Sequence, residues 1–105
     1  SLKSLNFEEI DPKRFPCLAI SIKAAKQGGG APAVLNGANE TLVDSFLKEE
    51  INFLDISKNL YSVMQQFYRT ISLPEVPSFL EHISTIEDAV KADQWGREQA
   101  IRCMS

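Results

Sequence analysis

The sequence predicts an all-α domain, an antiparallel four-helix bundle preceded by an extended N-terminal linker. Three observations point there. Apolar residues recur at three- and four-residue spacing through most of the chain, as one buried helix face requires. Glycine and proline fall between those stretches, in Gly28-Gly29-Gly30-Ala31-Pro32 and at Pro74 and Pro77, where they stop one helix and admit the next. The connections are mostly short, which makes successive helices antiparallel neighbours.

Residues 1–15 read as an interdomain linker and residues 16–105 as the bundle. Leu2, Leu5, Phe7 and Ile10 are spaced for an extended segment, and Asp11-Pro12 punctuates it. Such a segment lies over the surface as a tail or pairs as a short strand with something outside this chain. Pro16 suits an early position of the first helix, because its missing N–H would be unpaired there anyway. Leu18, Ile22 and Ala25 then recur at helical spacing until the glycine run. The second helix extends from about Pro32 to Lys48. Leu35, Leu42 and Phe46 share one side of it, Ala38 and Val43 flank them, and Thr41, Asp44 and Lys48 lie opposite. Asn39 falls on the apolar side, where a polar group needs a partner. Its amide is expected to be buried and bonded to backbone in the Gly28–Ala31 connector or the Ile51–Asp55 turn.

Asp55 is the expected N-cap of a third helix. Ile56, Leu60, Val63, Phe67 and Ile71 form its apolar stripe, opposed by Lys58, Ser62, Gln65 and Arg69. Pro74 and Pro77 end it and open a connection with a short turn around Phe79-Leu80. Thr85-Ile86-Glu87-Asp88 starts the fourth helix, Thr85 capping and Asp88 reaching back in a variant capping box; it continues to about Cys103. Asp93 and Arg97 are four apart on it and pair along the helix. They fall among Ile86, Val90, Ile101 and Met104, so both are expected to be substantially buried. Trp95 sits on the other side of that helix with Ala92 and Cys103, either covering a groove or marking a docking site.

Net charge is −3, and no basic cluster exceeds Lys23/Lys26 or Lys13/Arg14, so a phosphate backbone is not the expected partner. No apolar run approaches the roughly 20 residues of a membrane span. The start of the chain has neither a signal-peptide core nor an initiating Met, which suggests a trimmed chain. Cys17 and Cys103 have no metal-ligand spacing and are expected to be free thiols in a reducing, cytosol-like compartment.

Chemistry is sparse along the sequence. The glycine run invites a phosphate-loop reading, but neither Gly-x-x-x-x-Gly-Lys-Ser/Thr nor Gly-x-Gly-x-x-Gly occurs, so a helix connector is expected. His82 lies in a proline-flanked connection with only Glu81 beside it, the setting of a surface histidine. The pairs Glu8-Glu9 and Glu49-Glu50 look solvated, and no carboxylates converge on one point as a hard divalent metal would require. Cys17 follows Pro16 in a first helical turn, where the dipole would lower its pKa; Phe15 and Leu18 around it favour a small core residue. No residue is assigned a catalytic, cofactor-binding or metal-binding role. Asn36 and Glu40 sit beside Val43 and Leu47 on a flank of the second helix that the apolar stripe does not need. Mixed flanks of this kind characterise interdomain surfaces. These two residues, with the linker, are the expected docking surface.

The stretches Leu5-Asn6-Phe7, Arg14-Phe15-Pro16-Cys17-Leu18, Ala31-to-Glu40 (Ala-Pro-Ala-Val-Leu-Asn-Gly-Ala-Asn-Glu), Phe53-Leu54-Asp55-Ile56 and Asp93-Gln94-Trp95-Gly96-Arg97-Glu98 together resemble one family, 1-deoxy-D-xylulose 5-phosphate reductoisomerase, in its C-terminal region only. The resemblance covers essentially the whole chain. The family often has threonine where Gly30 stands and alanine where Gly37 and Gly96 stand, and glycine inside a helix costs roughly 1 kcal/mol against alanine. The resemblance implies a parent enzyme that rearranges and reduces 1-deoxy-D-xylulose 5-phosphate to 2-C-methyl-D-erythritol 4-phosphate. That enzyme uses NADPH and a divalent metal, Mg or Mn, in non-mevalonate isoprenoid synthesis. It is expected to be a cytoplasmic homodimer, or a plastid one in a plastid-bearing organism. Its partners for this bundle would be the NADPH-binding and catalytic domains of the same chain. The family's Asp-x-Glu metal motif and its phosphate-binding Ser, Asn and Lys belong to the central domain, and neither occurs here. The fragment is therefore expected to be inactive alone and to brace the other domains, placing Asn39, Asp93 and Arg97 in structural roles. The competing readings are an independent helical interaction module and, against the acidic balance, a helix-turn-helix DNA binder.

Overall fold

Five helices, α1 (Pro16–Gln27), α2 (Ala31–Leu47), α3 (Phe53–Ile71), α4 (Ser78–Glu81) and α5 (Ile86–Met104), make up a computed structural model that describes residue 11 and residues 13–105. The expected extended segment through Leu2, Leu5, Phe7 and Ile10 lies outside the described residues. Just before α1, the Asp11 carboxylate accepts the Lys13 N–H at 2.9 Å, and the Asp11 carbonyl accepts those of Arg14 and Phe15. That turn delivers Pro16 to the first position of α1, where no N–H is needed.

The glycine run is a connector. Gly28 and Gly29 take positive φ of 70° and 56°, a region in which a side chain would strain the backbone. The N–H groups of Gly28, Gly30 and Ala31 are bonded to the carbonyls of Ala24, Leu80 and Gly28. These donors are therefore engaged within the chain, and the Gly30–Leu80 bond fastens the one-turn helix α4 against the connector. The short turn expected around Phe79-Leu80 is this helix.

α2 is the central helix. α1, α3 and α5 all pack on it, α5 most extensively, and α3 also touches α1 and α5. The core is built from Ala24, Ala31, Val34, Ala38, Leu42, Ile56, Leu60, Val63, Met64, Phe67, Leu80, Ala92 and Ala100. On α3 the stripe Ile56, Leu60, Val63, Phe67 falls where its spacing places it. Helix α3 begins earlier than Asp55: Asn52 is the N-cap, and Asp55, in the third helical position, accepts the Asn52 N–H at 2.9 Å. In α5 Thr85 caps as expected, its hydroxyl accepting the Asp88 N–H at 3.1 Å while the Asp88 carboxylate accepts those of Ser84 and Thr85.

The bundle is not square. The second and fourth long helices, diagonal in a regular four-helix arrangement, make the closest contact here. A Cβ on Gly37 would overlap the Asp93 carbonyl oxygen, and one on Gly96 would overlap that of Val34. The two helices therefore touch backbone to backbone. Gly37 and Gly96, unfavourable by helix propensity alone, are the residues that permit it. On the buried side of α5 only small residues fit between them, Ala92, Gly96 and Ala100.

Three expectations change. The inward face of α1 is Ala24 with half-buried Ile20, while Leu18 is 45% exposed and Ala25 is exposed. Cys17 is likewise exposed rather than in the core. Asn39 is exposed, because the buried face of α2 centres on Ala31, Val34, Ala38, Leu42 and Ser45 and Asn39 is turned about 100° from Ala38.

Candidate functional site

One polar cluster spans two helices. The chain turns Asn36 and Glu40, one helical turn apart on α2, toward Asp93 and Arg97, one turn apart on α5. Arg97 donates its Nε–H to Asp93 Oδ1 at 2.6 Å and an Nη2–H to Glu40 Oε2. Asn36 Nδ2 donates to Asp93 Oδ2 at 3.0 Å. Asp93 thus accepts one side-chain donor from its own helix and one from α2. Arg97 is held by the two acids its planar fork can reach.

The side chains of Asp93 and Arg97 are 25% and 34% exposed. The expected pairing is present, but both groups lie at the edge of the α2–α5 crossing instead of deep in the bundle. The reason is the phase of α5: its inward side is the small-residue side, and Ile86, Val90 and Ile101 point outward. Burial by itself would raise the Asp93 carboxyl. The hydrogen bonds from Arg97 and Asn36, together with the guanidinium charge, outweigh it and hold Asp93 below the ordinary carboxylate range. The bonds to Asp93 and Glu40 likewise raise Arg97. A guanidinium locked between two acids is no proton donor near neutral pH. The cluster joins α2 to α5 through the Asn36–Asp93 and Arg97–Glu40 bonds.

The other sequence candidates are scattered. His82 is exposed, its Nε2 3.9 Å from Glu81. Cys17 and Cys103 are free thiols, and burial pushes the Cys103 thiol up. Trp95 is half-buried, edge-on to Phe67 at 6.2 Å, so it belongs to the margin of the core. Among the described residues no three His, Cys, Asp or Glu side chains group to hold a metal ion. No helix among them is long and apolar enough to cross a membrane.

Sequence reasoning missed a hollow of about 480 Å³ between α1 and α3, floored by Ile20 and Met64 and edged by Lys23, Lys58 and Tyr61. In it the Lys23 ammonium stands 4.3 Å from the Tyr68 ring centroid. The Tyr68 hydroxyl is buried without a hydrogen-bond partner, and burial raises its pKa. The hollow depends on how α1 tilts against α3, which residue spacing does not encode. Asn39 borders a smaller one, about 310 Å³, with Cys17, Ser21 and Leu60.

Fold and cluster together define an all-helical domain in which a polar cluster joins two of the helices. A family model described as DXP reductoisomerase C-terminal domain matches residues 1–99, and the chain belongs to that family. It is 38% identical over 101 residues to the 1-deoxy-D-xylulose 5-phosphate reductoisomerase of Microcystis aeruginosa, covering 96% of this chain and 24% of that protein. With the enzyme of the same name from Pelotomaculum thermopropionicum the identity is 39% over 102 residues, 97% of this chain and 24% of that one. The solved 1-deoxy-D-xylulose 5-phosphate reductoisomerase from Zymomonas mobilis, in complex with NADPH, superposes with a TM-score of 0.73 at 35% identity. That match covers 99% of this chain and 25% of the Zymomonas chain. The chain thus spans about a quarter of the length of the relatives it matches.

Proposed function

We propose that this chain serves as the C-terminal structural domain of a 1-deoxy-D-xylulose 5-phosphate reductoisomerase. The whole enzyme would convert 1-deoxy-D-xylulose 5-phosphate to 2-C-methyl-D-erythritol 4-phosphate with NADPH and a divalent metal, as a homodimer in the cytoplasm or plastid. In this reading residues 1–15 are the linker and residues 16–105 the bundle, and the bundle braces the catalytic and NADPH-binding domains. Hydride transfer and metal chemistry belong to those domains. This domain contributes geometry, and small misplacements at a reacting centre are costly.

The observation that supports this reading best is the Asn36–Asp93–Arg97–Glu40 cluster. It fixes α2 to α5 at a surface that remains exposed at Asn36 and Glu40. Asn36, Glu40 and the linker form the proposed docking surface. In the full-length enzyme, Asn36→Ala with Glu40→Ala is expected to lower turnover. Thermal unfolding separates docking from internal support: lowered turnover with unfolding nearly unchanged supports docking. Unaltered kinetics, or a large loss of stability, assigns both residues to internal structure alone.

A further inference from the structure

Two rows of outward-facing residues are left over by the bundle's own packing. On α2 Asn36, Glu40 and Leu47 share one outward face, with Leu47 72% exposed, while Val43 between them is half-buried against the core. On α5 the positions Ile86, Val90, Arg97 and Ile101 share a face, and its three apolar members are 84%, 61% and 56% exposed. The close contact at Gly37 and Gly96 brings α2 and α5 together, and the Asn36–Asp93 hydrogen bond and Arg97–Glu40 ion pair join the two rows. Single exposed apolar residues are ordinary; two aligned rows around an ordered charged centre mark an interaction surface.

Resting on the reading above, we propose that this α2–α5 face, including the apolar row of α5, seats the preceding domains of the same polypeptide. The occupant follows from the family. Its model is of a C-terminal domain, and the chain covers 24% of its relatives, so about three quarters of such a protein lies ahead of the bundle on the same polypeptide. Charge narrows the partner's chemistry. At the centre two carboxylates, Glu40 and Asp93, meet one guanidinium, Arg97, leaving one negative charge in excess. The seated surface therefore presents apolar side chains to Ile86, Val90 and Ile101 around a lysine or arginine directed at Glu40. The hollow between α1 and α3, edged by Lys23 and Lys58, has the opposite sign and stays open to water.

Hydroxyl-radical footprinting of the full-length protein tests the face without relying on activity. Ile86, Val90, Ile101 and Leu47 are expected to be labelled several-fold less than their exposure in this domain predicts, while Tyr61 in the α1–α3 hollow is labelled freely. Labelling of Val90 and Ile101 at the level of Tyr61, or protection of Tyr61 in their place, overturns the proposal. Val90→Glu with Ile101→Glu is expected to lower kcat by about tenfold through misplacement of the docked domains, with labelling restored along α5. Protection of the face in a protein that does not turn over 1-deoxy-D-xylulose 5-phosphate would overturn the functional reading and support the docking face. Turnover without protection would do the reverse.

Discussion

At Asp93 burial and hydrogen bonding pull in opposite directions, and hydrogen bonding wins. A carboxyl whose folded pKa lies below its unfolded value, about 3.9, stabilises the fold fully above that value and loses its contribution as pH falls through the folded pKa. Asp93→Asn is therefore expected to destabilise the chain at pH 7 and to match the parent more closely in strong acid, as read by urea unfolding across pH. Asp93→Ala strands Arg97 and Asn36 together. Its cost should be about 1–3 kcal/mol, below the roughly 3–5 of a fully buried pair, because solvent reaches both groups. An unchanged midpoint would show the cluster to be ornamental. A second residue-scale prediction concerns the end of α2. Glu49 has φ 62°, and its N–H and that of Glu50 bond to the carbonyls of Phe46 and Ser45. This is the glycine-type helix end occupied by a glutamate. Glu49→Gly is expected to raise stability by up to about 1 kcal/mol, and a lowered melting temperature would contradict it.

Among elements, α3 was the most legible and α5 the least, for one physical reason. The buried side of α3 carries the large residues Ile56, Leu60, Val63, Met64 and Phe67 at helical spacing, so along most of its length hydrophobic spacing and burial coincide. The buried side of α5 carries Ala92, Gly96 and Ala100 because α2 lies too close for anything larger. Its large apolar residues are displaced outward, and a reading keyed to side-chain size takes the wrong face. The capping box at Thr85 and Asp88 was readable because it is local; the start of α3 was misplaced by three residues because Asn52 and Asp55 are both competent caps. Asn39 was misjudged through the phase of α2, which is apolar around too much of its circumference to fix one direction. The α2–α5 crossing also yields a prediction. Gly37→Ala and Gly96→Ala each gain roughly 1 kcal/mol of helix propensity, yet each is expected to destabilise overall, by about 1–3 kcal/mol of overpacking. Because either alanine already parts the helices, the double variant should lose less than the sum of the two. Additive losses in chemical denaturation would show that the helices adjust independently.

For the whole molecule, the chain alone is expected to bind neither NADPH nor a divalent metal ion with useful affinity. Its sequence lacks a dinucleotide fingerprint, and among the described residues no ligand cluster forms. Calorimetry with each checks this, and a specific site for either would refute it. Family and helical class were legible because they rest on long stretches such as Ala31-to-Glu40. Of the proposed docking face, the sequence offers only the α2 side, Asn36 and Glu40; the α5 row comes from the crossing geometry. Where α2 and α5 meet there is also a mechanical consequence. Most packed helices stand about 8–10 Å apart, separated by side chains that can change rotamer and so absorb a push. At Gly37 and Gly96 that cushioning layer is missing, and main chain bears directly on main chain. A load arriving at Arg97 passes into α2 with little compliance, and from α2 into α1 and α3, the other two helices that pack on it. The domain should respond to its neighbours as a strut does, transmitting displacement undamped, and stiffness at this joint is what an alanine at either glycine would soften.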